Sequence, residues 1–210
     1  MNEWVQSLCD RYPELENCRE GIEQAIACIC ASYENGGKLL IGGNGGSCAD
    51  AEHIAGELMK GFLKMRPLPT EQKESMRRLC PELGTIPDSL QRGLPVIALH
   101  EHAAFSTAFV NDVEPQLVFA QQVLVFGHAP DVLLGISTSG NSANILAAAK
   151  TARGLGLPVI GLTGRDGGRL AAMADICIRV PATETYRVQE YHQPIYHAIC
   201  AQVEQYFFRN

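Results

Sequence analysis

Basic residues are in short supply. Lys and Arg total 17 against 23 Asp and Glu, a formal net charge of −6. That balance speaks against a nucleic-acid-binding surface. Long apolar runs are missing too. None approaches the ~18 residues that a membrane-spanning helix needs. The first residues, MNEWVQSLCDRYPELE, are acidic and carry no apolar core of the kind a signal peptide requires. A cytoplasmic protein is therefore expected. The eight cysteines form no CxxC pair, which removes zinc ribbons and thioredoxin-type redox motifs. Most lie in apolar stretches and read as reduced thiols. No GK[ST] occurs, so there is no Walker A phosphate loop, and no GxGxxG opens a dinucleotide fold. Internal repeats and low-complexity tracts are absent.

The stretch Gly42 to Glu57, GGNGGSCADAEHIAGE, stands out. The apolar run Lys38 to Ile41 leads into it and an amphipathic run, Ala49 to Phe62, leaves it. That pattern is strand, glycine-rich turn, helix. Such a turn aims free backbone N–H groups at one point, where the helix dipole also favours an anion. His53 and Glu57 lie four residues apart, hence on one helical face.

Short apolar strands at 38–42, 94–99, 131–136, 158–162 and 175–180 alternate with helical runs. This predicts an α/β fold, a doubly wound parallel five-stranded sheet flanked by helices. Residues 1–37 form an N-terminal helical segment within one domain of 210 residues. Residues 64–93 are polar, with prolines at 67, 69, 81 and 87. They read as an insert with one short helix near 71–79 and otherwise loop, a kind of segment that more often has a function than not. Ligands of such sheets bind beyond the strand C-termini. The loops at 42–47, 100–102, 137–142 and 163–168 should gather there. Ser137, Thr138, Ser139 and Ser142 offer four hydroxyls around Gly140, just before a helix. Neutral donors in that density suit a phosphate monoester.

The series GGNGGS, HxxxE, GISTSGNS, LTGRDGG and QExHxxxxH, in this order, resembles the phosphosugar-binding sugar isomerase (SIS) family and, within it, the bacterial phosphoheptose isomerases. The similarity spans nearly the whole chain. It implies isomerisation of sedoheptulose 7-phosphate to D-glycero-D-manno-heptose 7-phosphate, and a homotetramer with sites near subunit interfaces. It also implies zinc held by His53, Glu57, Gln189 and His197, with Glu57 and His197 as base and acid. Substrate-binding residues carried over from the family are Asn44, Gly45, Gly46 and Ser47, Asn111 and Asp112, Ser137, Thr138, Ser139 and Ser142, and Gln189. Two features depart from the family pattern: Tyr186 stands where an acidic residue is usual, and the insert is additional. An isomerase of another ketose phosphate, or a non-catalytic SIS module that binds a phosphosugar or a replication-initiator protein, are the alternatives. Gln189 and His197 are eight residues apart, ~12 Å along a straight helix, and Pro194 between them is expected to kink it.

Overall fold

The computed structural model describes residues 2–208. Its centre is a parallel sheet of β1 (Leu39–Gly42), β2 (Val96–Ala98), β3 (Val132–Ser137), β4 (Val159–Thr163) and β5 (Ile176–Arg179), in the spatial order β2-β1-β3-β4-β5. The order reverses between β1 and β3. A crevice therefore opens beyond their C-terminal ends.

The strands read as apolar runs because both faces are covered. Leu39, Ile41, Leu134, Ile136, Ile160 and Leu162 point to one layer, and Leu40, Leu133 and Val159 to the other. Each fully buried Leu or Ile contributes about 1.5–3 kcal/mol relative to exposure. A one-residue slip would exchange the two sets. Register is also pinned by Asp131, which is fully buried. Its carboxylate accepts from the Lys38 backbone N–H at 2.9 Å and from Lys38 Nζ at 2.6 Å, tying the start of β1 to the start of β3.

The first layer holds α1 (Glu3–Arg11), α2 (Arg19–Glu34), α3 (Gly46–Met59) and the long C-terminal helix, residues 185–207. The N-terminal segment thus buries its apolar stripe against its own chain: Val5 and Leu8, then Ile22, Ile26 and Ile29. In the insert, α4 (Thr70–Leu79) is followed by a 3-10 turn at Pro81–Leu83 and by α5 (Ile86–Ser89). This corrects the expectation of a mostly irregular segment. The prolines at 69, 81 and 87 sit at or just before helical starts, where their fixed φ helps and the missing N–H costs nothing. The opposite layer contains α6 (Ala103–Asp112), α7 (Val118–Phe126) and α8 (Ala143–Gly154), with α9 (Gly168–Ala171) after β4. The last helix, α10 (Thr185–Phe207), runs unbroken as one element with Pro194 inside it.

A buried ion pair fastens the insert. Arg66 is fully buried, and its Nε donates to Glu204 Oε1 at 2.8 Å. Its other nitrogens reach the carbonyls of Leu58 (2.7 Å) and Glu57 (3.1 Å), at the end of α3. Glu204 also accepts from the N–H groups of Phe62 and Leu63, each at 2.8 Å. One guanidinium thereby joins the C-terminus of α3 to α10. Removing one member of a buried pair typically costs about 3–5 kcal/mol. Arg66→Met is accordingly expected to lower the unfolding free energy by about that amount in urea titration. A loss under 1 kcal/mol would mean that the clamp is dispensable.

Candidate active site

The loop after β1 turns into α3 on glycines with separate jobs. Gly45 has φ +55°, a conformation that side chains resist. Gly43 packs against the Ser47 backbone so closely that a Cβ would overlap its carbonyl oxygen. Gly46 lies under the Gln189 amide, again with no room for a Cβ. The helix starts at Gly46, three residues before the apolar pattern suggests, because the turn itself is helical.

After β3, the Ser137 and Ser142 hydroxyls are 2.9 Å apart, and Gly140 (φ +63°) reverses the chain against Gly167. Thr138 O accepts from the Gly164 N–H at 2.9 Å, which locks this loop to the one after β4. A cavity of about 300 Å³ opens between the β1 and β3 loops. Asn44, Gly45, Gly46 and Ser47 form one wall, and Ser137, Thr138 and Ser142 the other. Thr185 and Gln189 of α10 close it. Three helices of 14, 12 and 23 residues start on its rim, at Gly46, just after Ser142, and at Thr185. No Lys or Arg lines it. An anion placed there would meet helix N-termini and hydroxyls in place of cationic side chains.

Ser139 is turned to its own loop, where its Oγ accepts from the Asn141 N–H at 3.1 Å. Asn111 and Asp112 end α6 on the exposed surface, bonded to each other at 2.7 Å, and do not line this cavity.

Further along α3, His53 Nε2 is 3.2 Å from Glu57 Oε1, and the His53 and His197 rings meet edge to face with centroids 4.9 Å apart. His53 Nδ1 is held at 3.0 Å by the Tyr196 hydroxyl. Burial, and then the neighbouring His53, hold His197 below the usual imidazole range, although Glu57 acts the other way. His197 also borders a second recess with Trp4, Arg11, Phe62 and Leu63. His192 is a core residue, fully buried, with its pKa pushed down to about 4 by that burial. Gln189 lines the cavity, and His197 packs against His53 two turns further along α10.

Side chains that could take a metal occur in two groups on α3. His53, Glu57 and His197 offer imidazole and carboxylate donors, and the Tyr196 hydrogen bond fixes the second His53 nitrogen in the way that ligating histidines need. A second group, Cys48, Glu52 and His100, gathers three donor atoms within 4.8 Å of one another, the one such His, Cys, Asp or Glu triplet among the described residues. Motif reading passed over this triplet, as it did Thr185, Tyr196 and the half-buried Asp50 between Gly46 and His53. None of them belongs to a spaced pattern.

A model of the SIS domain matches residues 3–77 and 75–164. The chain belongs to the SIS domain family. This SIS chain is 41% identical over 189 residues to the phosphoheptose isomerase of Aneurinibacillus thermoaerophilus, covering 90% of this chain and 83% of that one. It is 39% identical over 201 residues to that of Rhodospirillum rubrum, covering 96% and 94%. Among solved structures, a phosphoheptose isomerase from Francisella tularensis superposes with a TM-score of 0.76 at 33% identity, over 97% of this chain and 96% of that one. The enzyme from Neisseria gonorrhoeae gives 0.72 at 34%, over 95% and 98%.

The glycine geometry yields a contrast. At Gly46 the obstacle is the end of a flexible side chain, whereas at Gly43 it is backbone. Gly46→Ala is expected to keep its thermal midpoint but to displace the Gln189 amide, weakening inorganic phosphate binding about tenfold, the worth of one hydrogen bond to a charged group. Gly43→Ala is expected to lower the midpoint instead. Calorimetric titration and thermal melts of the two variants check this, and unchanged phosphate affinity in Gly46→Ala would refute it.

Proposed function

We propose that the chain is an aldose–ketose isomerase of a phosphorylated sugar, interconverting sedoheptulose 7-phosphate and D-glycero-D-manno-heptose 7-phosphate. The observation that carries this reading is an anion cavity without cations, set a fixed helical length from a His–Glu–His cluster. Gly46 and His53 are seven residues apart on α3, ~10 Å. An extended sugar phosphate with its phosphate in the cavity would lay its carbonyl end beside His53, Glu57 and His197. Kinship with named phosphoheptose isomerases at about 40% identity supports the same activity.

In this reading the Ser137, Thr138 and Ser142 hydroxyls and the three helix N-termini hold the phosphate. Asn44, paired with Asn144 through reciprocal amide bonds of 2.9 and 2.8 Å, and Gln189 meet the sugar chain. Glu57 removes the C1 proton of the ketose and returns it at C2. His197 carries a proton between the two oxygens through one ring nitrogen, which leaves the other for the metal. His53, Glu57, Gln189 and His197 are the proposed zinc donors, a mixed nitrogen and oxygen set that suits the ion. Zinc bound there would polarise the carbonyl.

We further read the chain as a homotetramer. Val110, Val113, Leu117, Leu124 and Val125 are exposed on α6, α7 and the turn between them, an apolar surface that association would cover and that carries Asn111 and Asp112 at its edge. Light scattering should give four times the 22.8 kDa chain mass; a monomer would overturn the assembly.

The activity is tested by assaying the purified protein on ketose phosphates of five to seven carbons. Turnover of the seven-carbon substrate is expected. Glu57→Gln should cut kcat about 10²–10⁴-fold, the usual worth of a positioned base, with phosphate binding intact. Wild-type rates in Glu57→Gln would remove Glu57 from the chemistry. Phosphosugar binding without isomerisation of any ketose would indicate a binding module instead.

A further inference from the structure

Helix α3 carries a second i, i+4 pair besides His53 and Glu57. Cys48 and Glu52 lie one residue after Ser47 and one before His53. Five residues separate Cys48 from His53, a rotation of ~140° at 3.6 residues per turn. The two pairs therefore look out from different faces of the helix. The face with Cys48 and Glu52 meets the loop after β2, where His100 follows Leu99. His100 Nε2 is 2.8 Å from Glu52 Oε1, and its Nδ1 is buried without a hydrogen-bond partner. The Cys48 thiol, the Glu52 carboxylate and an imidazole nitrogen lie within 4.8 Å of one another.

From this geometry we infer that Cys48, Glu52 and His100 form a binding site for a divalent transition-metal ion of the zinc type, separate from the His53 cluster.

Three considerations carry it. The first is donor chemistry: thiolate, imidazole and carboxylate are the donors that such ions take, at about 2.0–2.3 Å. Bonds of that length in a tetrahedron put donor atoms about 3.3–3.8 Å apart. Rotation of the exposed Glu52 side chain and of the thiol closes the remaining gap. The second is charge. Cys48 is held in its protonated form by burial first, then by the negative fields of Glu52 and of nearby Glu101. The same field that penalises a lone thiolate favours a cation bound to it. The binding step is balanced: the ion takes the thiolate and the Cys48 proton passes to solvent. The third is the partnerless His100 nitrogen. A buried imidazole nitrogen without a partner loses its hydration and gains nothing in return. Ligation through that nitrogen is what would give it a partner.

An ion there would tie the first turns of α3 to the loop after β2. It would also place positive charge behind Ser47, beside an anion cavity that has no Lys or Arg.

Cobalt(II) tests the site, because thiolate-to-cobalt charge transfer gives a near-ultraviolet band that nitrogen and oxygen donors alone do not. The His53 cluster contains no cysteine, so the band reports this site and not that one. Titration of the purified protein with Co2+ is expected to produce the band at one equivalent per chain. It should vanish in Cys48→Ser, persist in Cys80→Ser, and need at least tenfold more cobalt in His100→Ala. As a second measurement on the unmodified protein, Zn2+ should protect Cys48 from alkylation, read by peptide mass spectrometry. No band at saturating cobalt, a band that survives Cys48→Ser, or equal Cys48 labelling with and without zinc would each overturn the inference.

Discussion

The site depends on how α3 lies along α10. Gly46 touches Gln189, and His53 bonds Tyr196, with the same sequence offset of 143 residues in both pairs. A constant offset means that the helices run side by side in the same direction without slipping. Gly46 marks the approach at one end, where any side chain would displace the Gln189 amide. Arg66 secures the other, bonded at once to the last carbonyls of α3 and to Glu204 of α10. The spacing between the anion cavity and the His53 cluster is thus a rigid helical length, stiffened at both ends. A substrate that must be gripped at one terminus and altered at the other needs such a ruler.

The choice of neutral groups for the anion also follows from the fold. The β1–β3 crevice receives the starts of α3 and α8, and α10 adds a third. Each N-terminus contributes roughly half a positive charge, in a place where a Lys or Arg would have to be partly buried. Three such ends supply more than one full charge without long, entropically costly side chains. Hydroxyls complete the shell. Ser142 illustrates the arrangement: its hydroxyl meets Ser137 across the cavity wall and does not cap the α8 N–H groups.

Where sequence periodicity was strong, it located every strand and the major helices, because buried parallel strands cannot avoid being apolar. The two loops that line the cavity were legible for the same local reason: glycine and hydroxyl density is a property of contiguous residues. What stayed hidden was long-range. Thr185 reaches the cavity only because α10 starts there, and Tyr196 meets His53 only through helix packing. Arg66 looked like any charged residue of a polar insert, yet it is fully buried. The ~12 Å of helix between Gln189 and His197 sets Gln189 at the cavity and His197 beside His53. Pro194 does not interrupt the helix.

One helix therefore serves several surfaces. Its N-terminus faces the anion cavity, its His53–Glu57 face meets α10, and its Cys48–Glu52 face meets the loop after β2. Burial on several sides explains why Ala51 and Ala55 recur among the polar residues. Small side chains let the helix sit close to the sheet and to α10, while each polar group projects into a gap between elements. A bulky residue at Ala51, which is fully buried, would lift the helix from the sheet and move all of these surfaces together. The chemistry of the site is in this sense mounted on a single rigid body, and its geometry is set by the packing of α3 more than by any loop.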